Sequence, residues 1–166
     1  VRRSSAADLS ATVAAALQER GVGRLVRPAG LDPDWLSSAS QVEVLPDSRE
    51  TPLSVAELDG VDGVITGCTL AVAETGTLIL DGSEDQGRRA ITLVPDYHLC
   101  VVLPDAVCAD VPQALSRLSG DGPITMISGP SATSDIELDR VEGVHGPRTL
   151  EVIIVSGSCP RPTHPD

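Results

Sequence analysis

The sequence predicts an α/β fold, with a mixed, mostly parallel sheet and flanking helices. Short apolar runs alternate with segments of helical pattern, which is typical of strands and helices packed in layers. The run Leu99–Leu103 is apolar throughout, as expected of a parallel strand buried on both faces. A helix-like segment and two strand-like runs follow it, and connections of this kind lead to parallel neighbours.

Helices and short strands alternate in the first part of the chain. Residues 8–20 are rich in Ala and Leu and end before Gly21, which predicts a helix and its end. Pro28 and Pro46 each end a short segment that predicts a strand, and the second segment, Val42–Leu45, alternates apolar and polar residues at its start. The elements predicted up to residue 66 are a helix at 8–20, a strand at 24–27, a loop with a helical turn at 31–36, a strand at 42–45, a short helix at 51–58 and a strand at 63–66.

The rest of the chain is richer in strands. A polar turn at 81–87 separates two apolar runs, and this arrangement predicts a β-hairpin. The elements predicted after residue 66 are paired strands at 76–80 and 90–94, a strand at 99–103, a helix at 111–118 and strands at 123–127 and 150–155.

Length and charge limit the class of protein. The 166 residues indicate one domain, which we expect over residues 1–157, followed by a disordered, proline-rich tail at 158–166. A net charge of −12 and an aromatic content of 1% disfavour nucleic acids and anionic membrane surfaces as partners. No apolar run is long enough to cross a membrane.

The cysteine spacings predict no metal centre. The four cysteines match neither an iron–sulfur pattern nor a zinc ribbon. We interpret Cys68 and Cys100, which lie in or beside apolar runs, as small buried hydrophobic residues. A domain of this size needs no disulfide framework, so a reducing cytoplasm is the predicted location. We expect no cofactor in this chain.

The segment Ala73–Thr77 is the first candidate site. Glu74 can act as a base, a nucleophile or a hydrogen-bond anchor, and Thr75 and Thr77 offer hydroxyl groups on either side of Gly76, where a ligand can approach the backbone. The alternative is a simple turn in which the glutamate caps backbone amides.

A second polar segment begins at Ser128. Ser134 and Glu137 have the spacing of a capping box, which predicts that a helix begins there. A serine-rich loop before a helix can bind an anion, although no Lys or Arg lies between Ser128 and Arg140, so a capping role is an equal alternative. The candidate substrate-binding residues here are Ser128, Gly129, Ser131 and Thr133.

The third candidate is His145, which lies between two glycines in Gly143–Pro147. A histidine in such a loop can carry protons, and the alternative is a structural side chain. His98 lies at the start of a predicted strand. We take Asp135 and Glu137, beside the second segment, as further catalytic candidates together with Glu74 and His145.

These motifs, in this order, resemble the LUD-domain family, and within it the lactate utilisation protein C group (LutC/YkgG). The resemblance is clearest over residues 60–155 and includes Val94–His98. It implies a fold related to ribose-5-phosphate isomerase and the coenzyme A transferases. Ala132 departs from the pattern, because the family usually has a basic residue after the position of Ser131.

The resemblance also implies a function. Proteins of this group take part in the oxidation of L-lactate to pyruvate, as the clusterless component that works with two iron–sulfur proteins. Under this hypothesis the chain is a subunit or accessory factor, with a small organic acid as candidate ligand and iron–sulfur clusters only in its partners. Two alternatives stay open: a free-standing coenzyme A transferase-like or sugar-phosphate isomerase-like enzyme that uses Glu74, and a small-molecule sensor or scaffold.

Overall fold

A parallel sheet of six strands forms the centre of the part of the chain that the structure describes. This computed structural model describes residues 1–118, 122–130, 132–133, 141–142 and 146–157, and the two dipeptides by their backbone alone. Across the sheet the strands are, in order, β1 (Arg2–Ser5), β12 (Thr149–Ser156), β7 (Tyr97–Val102), β4 (Gly63–Thr66), β2 (Arg24–Pro28) and β3 (Glu43–Asp47).

A smaller, mixed sheet packs on one face of the central sheet. Its strands are, in order, β8 (Val107–Cys108), β5 (Leu70–Val72), β6 (Thr77–Leu80) and β9 (Thr125–Ile127). β6 is antiparallel to both of its neighbours, while β5 and β8 are parallel. The backbones of β10 (Ala132–Thr133) and β11 (Val141–Glu142) form a separate antiparallel pair.

Helices cover the remaining faces. The described helices are α1 (Leu9–Glu19), α2 (Val55–Asp59) and α3 (Val111–Arg117), with 3₁₀ turns at Pro33–Leu36, Arg89–Thr92 and Pro104–Ala106. None of the described helices has the length and apolar composition needed to cross a lipid bilayer.

Side chains on both faces of β7 are part of the hydrophobic core. Leu99 and Val101 pack towards α1, whereas Cys100 and Val102 pack against Leu78 and other residues of the smaller sheet. This alternation follows from the strand geometry, because successive side chains point to opposite faces. Burial on both faces explains why β7 is apolar from Leu99 to Val102. Aliphatic side chains make up most of the core, since the chain has no Phe.

The predicted fold class is confirmed, and most elements lie where the sequence places them. The predicted helix at 8–20 is α1, and the strand predicted at 63–66 has the observed bounds. The helix predicted at 51–58 begins later, at Val55, because Ser54 and Glu57 form a capping box. The sequence did not indicate β1 or the separation of the strands into two sheets. The helix predicted from Ser134 and the tail at 158–166 lie outside the described residues.

The predicted strand at 90–94 and the hairpin across 81–87 are wrong. Residues 89–92 form a 3₁₀ turn, and β6 pairs with β5 and β9 instead. Two contacts explain the difference. Ile91 is fully buried in an apolar cluster with Val26 and Val64, and Arg88 donates two hydrogen bonds to Asp47 at the end of β3. These contacts hold residues 88–92 against the central sheet as a turn, so they do not form a strand.

Candidate functional site

A chain of three hydroxyl groups joins two of the polar segments that the sequence proposes as a site. The hydroxyl oxygens of Thr75 and Thr77 are 2.7 Å apart, and Thr77 Oγ1 is 2.7 Å from Ser128 Oγ. The antiparallel register of β6 and β9 pairs Leu78 with Ile127, so the next residues along each strand, Thr77 and Ser128, also face each other. Strand pairing thus places the first and second candidate segments side by side.

Ser128 also lines a pocket of about 280 Å³. His98 of β7 and Leu150 of β12 contribute to the pocket from the central sheet, and β9 with the loop at 128–130 contributes from the smaller sheet. The turn at 89–93 and the residues Gly146 and Pro147 complete the described lining. The pocket volume lies just below the range of about 300–1,000 Å³ that is usual for small-molecule sites, so it suits a small ligand.

Arg89 gives this pocket a positive charge. It is the one Arg or Lys in the described lining, which contains no Asp or Glu. Its Nη1 donates a hydrogen bond of 2.5 Å to Thr125 Oγ1, and its side chain is exposed. The absence of carboxylates from this lining matters in a chain whose net charge is −12. A guanidinium beside hydroxyl groups is well suited to bind a carboxylate.

His98 contributes to the pocket from the fully buried side of β7. Its Nε2 lies 2.8 Å from Thr66 Oγ1, while Nδ1 has no hydrogen-bond partner within the described ranges. Burial lowers the pKa of His98 to about 4, so the ring is neutral at pH 7. Buried polar atoms without a partner are uncommon in native proteins.

The Cys100 thiol is buried beside Cys68. The Cys100 thiol donates a long hydrogen bond of 3.6 Å to the Gly67 carbonyl. Contact with Cys68 and burial raise the pKa of Cys100 well above its usual value, which disfavours the reactive thiolate. The prediction that Cys68 and Cys100 are small buried residues is confirmed by their exposures of 7% and 0%.

The structure brings some predicted site residues together and separates others. Thr75, Thr77 and Ser128 share the hydroxyl chain, and Gly129 lines the pocket with a positive φ of 88°. Glu74 lies on an exposed turn between β5 and β6, away from the pocket lining, and its backbone N–H donates to the Ala109 carbonyl.

The remaining predicted site residues lie outside the described lining of the pocket. Gly76 occupies the same exposed turn as Glu74, with a φ of +64° that favours glycine. Thr133 lies on the backbone pair β10–β11. Four predicted site residues lie outside the described residues: Ser131, Asp135, Glu137 and His145.

Sequence reasoning missed three pocket features: Arg89, Thr125 and the role of His98. One sequence feature pointed to Arg89, because Arg88 and Arg89 are the only Arg or Lys residues between Arg49 and Arg117. Arg88 is used in the ion pair with Asp47, which leaves Arg89 for the pocket. The unpartnered His98 nitrogen has no sequence signal, since it depends on how the two sheets pack.

A second group of charges has a structural role. Glu151 is buried on β12 and accepts hydrogen bonds from Arg2, Arg20 and Tyr97. Burial raises the pKa of Glu151, but the hydrogen bonds from Arg2 and Tyr97 outweigh it, so the pKa is lowered overall. These contacts tie α1 and β1 to the central sheet. Another pocket, lined by Arg20, Tyr97 and neighbouring residues, lies beside this group.

The fold and the pocket define a class of protein: an α/β domain with a mixed sheet on one face of a parallel sheet, and a small, positively charged pocket between them. A family model described as the LUD domain matches residues 47–155. The chain belongs to the LUD-domain family.

Relatives of known name support this assignment. The chain is 50% identical over 155 residues to a protein of Deinococcus radiodurans named lactate utilization protein C, covering 91% of this chain and 70% of the relative. It is 33% identical over 135 residues to a Bacillus subtilis protein of the same name, covering 76% of this chain and 55% of that protein. The chain therefore spans only part of each relative.

A solved structure has the same fold. It is a crystal structure of a DUF162 family protein from Deinococcus radiodurans, with a TM-score of 0.75 and 39% sequence identity. The alignment covers 94% of this chain and 88% of that chain. The mostly parallel α/β fold predicted from the sequence is thus also the fold of a related protein.

Proposed function

We propose that the chain is a C-type component of a lactate-utilisation system, and that its pocket receives a small organic acid. The names of the relatives support the first part of this proposal. The pocket supports the second, because Arg89, the Ser128 hydroxyl and a neutral His98 line a space of about 280 Å³ with no described carboxylate. The observation that carries the proposal is the hydroxyl chain from Thr75 to Ser128, which joins two family motifs at the pocket edge.

The proposal includes the partners and the location. The redox chemistry of lactate oxidation needs an electron acceptor, and we propose that iron–sulfur clusters in partner proteins supply it. The cysteine spacings of this chain fit no cluster. Within the described ranges no three His, Cys, Asp or Glu side chains are grouped as metal ligands. We place this system in the cytoplasm and treat residues 1–157 as one domain.

The alternative of a free-standing enzyme built on Glu74 has less support. A nucleophilic or basic carboxylate must reach the reacting atoms of its substrate. Glu74 is exposed on the β5–β6 turn, outside the described lining of the pocket. Asp135, Glu137 and His145 stay predictions as catalytic groups.

Growth and co-purification test the proposed function together. Deletion of the gene should abolish growth on L-lactate and leave growth on glucose unchanged. The wild-type gene should restore lactate growth, and the double variant Arg89→Met/Ser128→Ala should restore it poorly. A tagged chain purified from lactate-grown cells should carry proteins with iron–sulfur absorption. Normal lactate growth of the deletion strain, with no such protein in the purified material, would contradict the proposal.

A further inference from the structure

A second pocket, of about 460 Å³, lies at the amino-terminal ends of the central strands. Asp96 and Tyr97 line it at the start of β7, and Arg148 and Thr149 line it at the start of β12. Tyr97 packs in the core cluster that contains α1, whereas the next residue, His98, lines the pocket between the two sheets. Because successive side chains of a strand point to opposite faces, the two pockets are separate sites.

The charges that line the second pocket are balanced. Two arginines and two aspartates line it, and no other Arg, Lys, Asp or Glu of the described residues does so. The lining therefore has a formal charge of zero, in a chain whose net charge is −12. Such a lining favours neither anions nor cations as a class, but it offers an opposite charge to each end of a zwitterion.

Arg20 is the group best placed to bind a carboxylate. Its guanidinium carbon lies 5.9 Å from the centre of the Tyr97 ring, and its Nε lies 3.4 Å from the buried Glu151 carboxylate. The two Nη atoms have no hydrogen-bond partner among the described residues, and the side chain is 51% exposed. The contacts with Glu151 and Tyr97 hold the guanidinium in place, while its Nη atoms stay free to bind both oxygens of a carboxylate.

Asp62 provides the matching negative charge. Its Oδ2 accepts hydrogen bonds of 2.8 Å from the backbone N–H groups of Gly23 and Arg24, and its Oδ1 accepts none from the part of the chain that the structure describes. Asp62 is thus fixed to the start of β2 and still has an oxygen for an ammonium group. The other two charges, Asp96 and Arg148, lie 3.6 Å apart and are both more than half exposed, so they form a weak pair.

We propose that the second pocket binds a zwitterionic α-amino acid, with the carboxylate on Arg20 and the ammonium group on Asp62. Val22 and Val61, which are 8% and 7% exposed, give the lining an apolar part that suits an aliphatic side chain. An acid or an amine of the same shape pairs with one charge of the pocket and leaves the other without a partner, so each binds more weakly than the amino acid. This inference is independent of the proposed function, because it concerns another site.

Calorimetric titration of the purified chain with L-leucine, 4-methylpentanoate and 3-methylbutylamine tests the inference. The acid lacks the ammonium group of L-leucine, and the amine lacks its carboxylate. We expect L-leucine to bind about tenfold more tightly than either compound, or better, since a hydrogen bond between charged groups is worth at least this factor.

Three variants assign the two charges. Asp62→Asn keeps an oxygen for the backbone N–H groups but loses the negative charge, so it should lose the preference for L-leucine over the acid. Arg20→Met should weaken L-leucine binding by about tenfold, because the ligand carboxylate loses its partner. Arg3→Met, at an exposed position on β1, removes the same charge elsewhere and should leave the affinity unchanged.

NMR locates the ligand and decides the question if a variant does not fold. In the ¹⁵N-labelled wild-type chain, L-leucine should shift the backbone resonances of Gly21 and Asp62, which line the second pocket. Four results would overturn the inference: no binding of L-leucine, equal affinity for the three compounds, equal losses in Arg20→Met and Arg3→Met, or shifts confined to Gly129 in the pocket between the two sheets.

Discussion

Thr77 and Ser128 are 51 residues apart in the chain, and their hydroxyl oxygens are 2.7 Å apart in the structure. Thr77 is 8% exposed, at the start of β6, and Ser128 follows the edge strand β9. A second bond of 2.7 Å extends the contact to Thr75. This relationship fixes the loop at 128–130, which forms part of the pocket, to the smaller sheet.

Replacing Thr77 should weaken both the fold and the pocket. Thr77→Val keeps the side-chain shape and removes the hydroxyl that joins Thr75 to Ser128, so we expect the free energy of unfolding to fall by about 1 kcal/mol. Affinity for L-lactate should fall as well, because the loop carrying Ser128 loses its anchor. The matched control is Thr75→Val, an exposed position where we expect a change of less than about 0.5 kcal/mol. Urea denaturation should separate the two variants, and equal effects would argue against a central role for Thr77.

Removal of the pocket guanidinium should reduce ligand affinity without unfolding the protein. Arg89 is exposed and lines the pocket, so Arg89→Met should cost little stability. Loss of a charge-assisted hydrogen bond to a carboxylate should weaken L-lactate binding by about tenfold or more. Arg3→Met, at an exposed position on the edge strand β1, removes the same charge elsewhere and should leave the affinity unchanged. Similar losses in both variants would mean that net charge alone governs binding.

The ion pair between Arg88 and Asp47 should behave differently from a surface pair. The Asp47 side chain is completely buried and that of Arg88 is 27% exposed. Arg88→Met leaves a buried carboxylate without its cation, and we expect a loss of about 3 kcal/mol. Asp47→Asn should cost less, about 1–2 kcal/mol, because the partly exposed guanidinium can reach water. Urea denaturation of the two variants checks this order, and the reverse order would show that Asp47 needs no counter-charge.

Much of the fold could be predicted because its signals are local. Leu99–Leu103 is apolar on both faces, and Gly21 ends a helix whose pattern is plain in the sequence. The failure at 90–94 has a non-local cause, since Ile91 is buried by Val26 and Val64, which belong to other strands. An apolar run of this length fits a strand or a buried turn equally well.

The candidate site was partly predictable for the same reason. Thr75, Thr77 and Ser128 stand out as polar residues beside strands, and strand pairing brings them together. Arg89 and His98 line the pocket because the two sheets pack face to face. A short sequence motif cannot predict such packing. Glu74 has the right chemistry for a catalytic group, but it lies on the exposed side of a turn.

His98 should make the fold sensitive to mild acid. Burial lowers its pKa from 6.5 to about 4, so below pH 6.5 the unfolded chain takes up a proton that the native state does not bind. The free energy of unfolding therefore falls as the pH falls through this window, by about 1.4 kcal/mol at pH 5.5. His98→Gln lacks this contribution. Urea denaturation of both proteins at pH 7.5 and pH 5.5 should show a smaller decrease in the variant, and identical decreases would mean that His98 is not buried as a neutral ring.

The most direct test of the account is to map where a small organic acid such as L-lactate binds. Titration of the ¹⁵N-labelled chain with L-lactate, followed by NMR, should shift the resonances of Gly129, the Arg89 side chain and His98, which share one pocket. Resonances of Gly21 and Asp62, in the second pocket, should stay unchanged. Shifts confined to the second pocket, or none at saturating L-lactate, would contradict the claim that the pocket beside Thr77 and Ser128 is the ligand site.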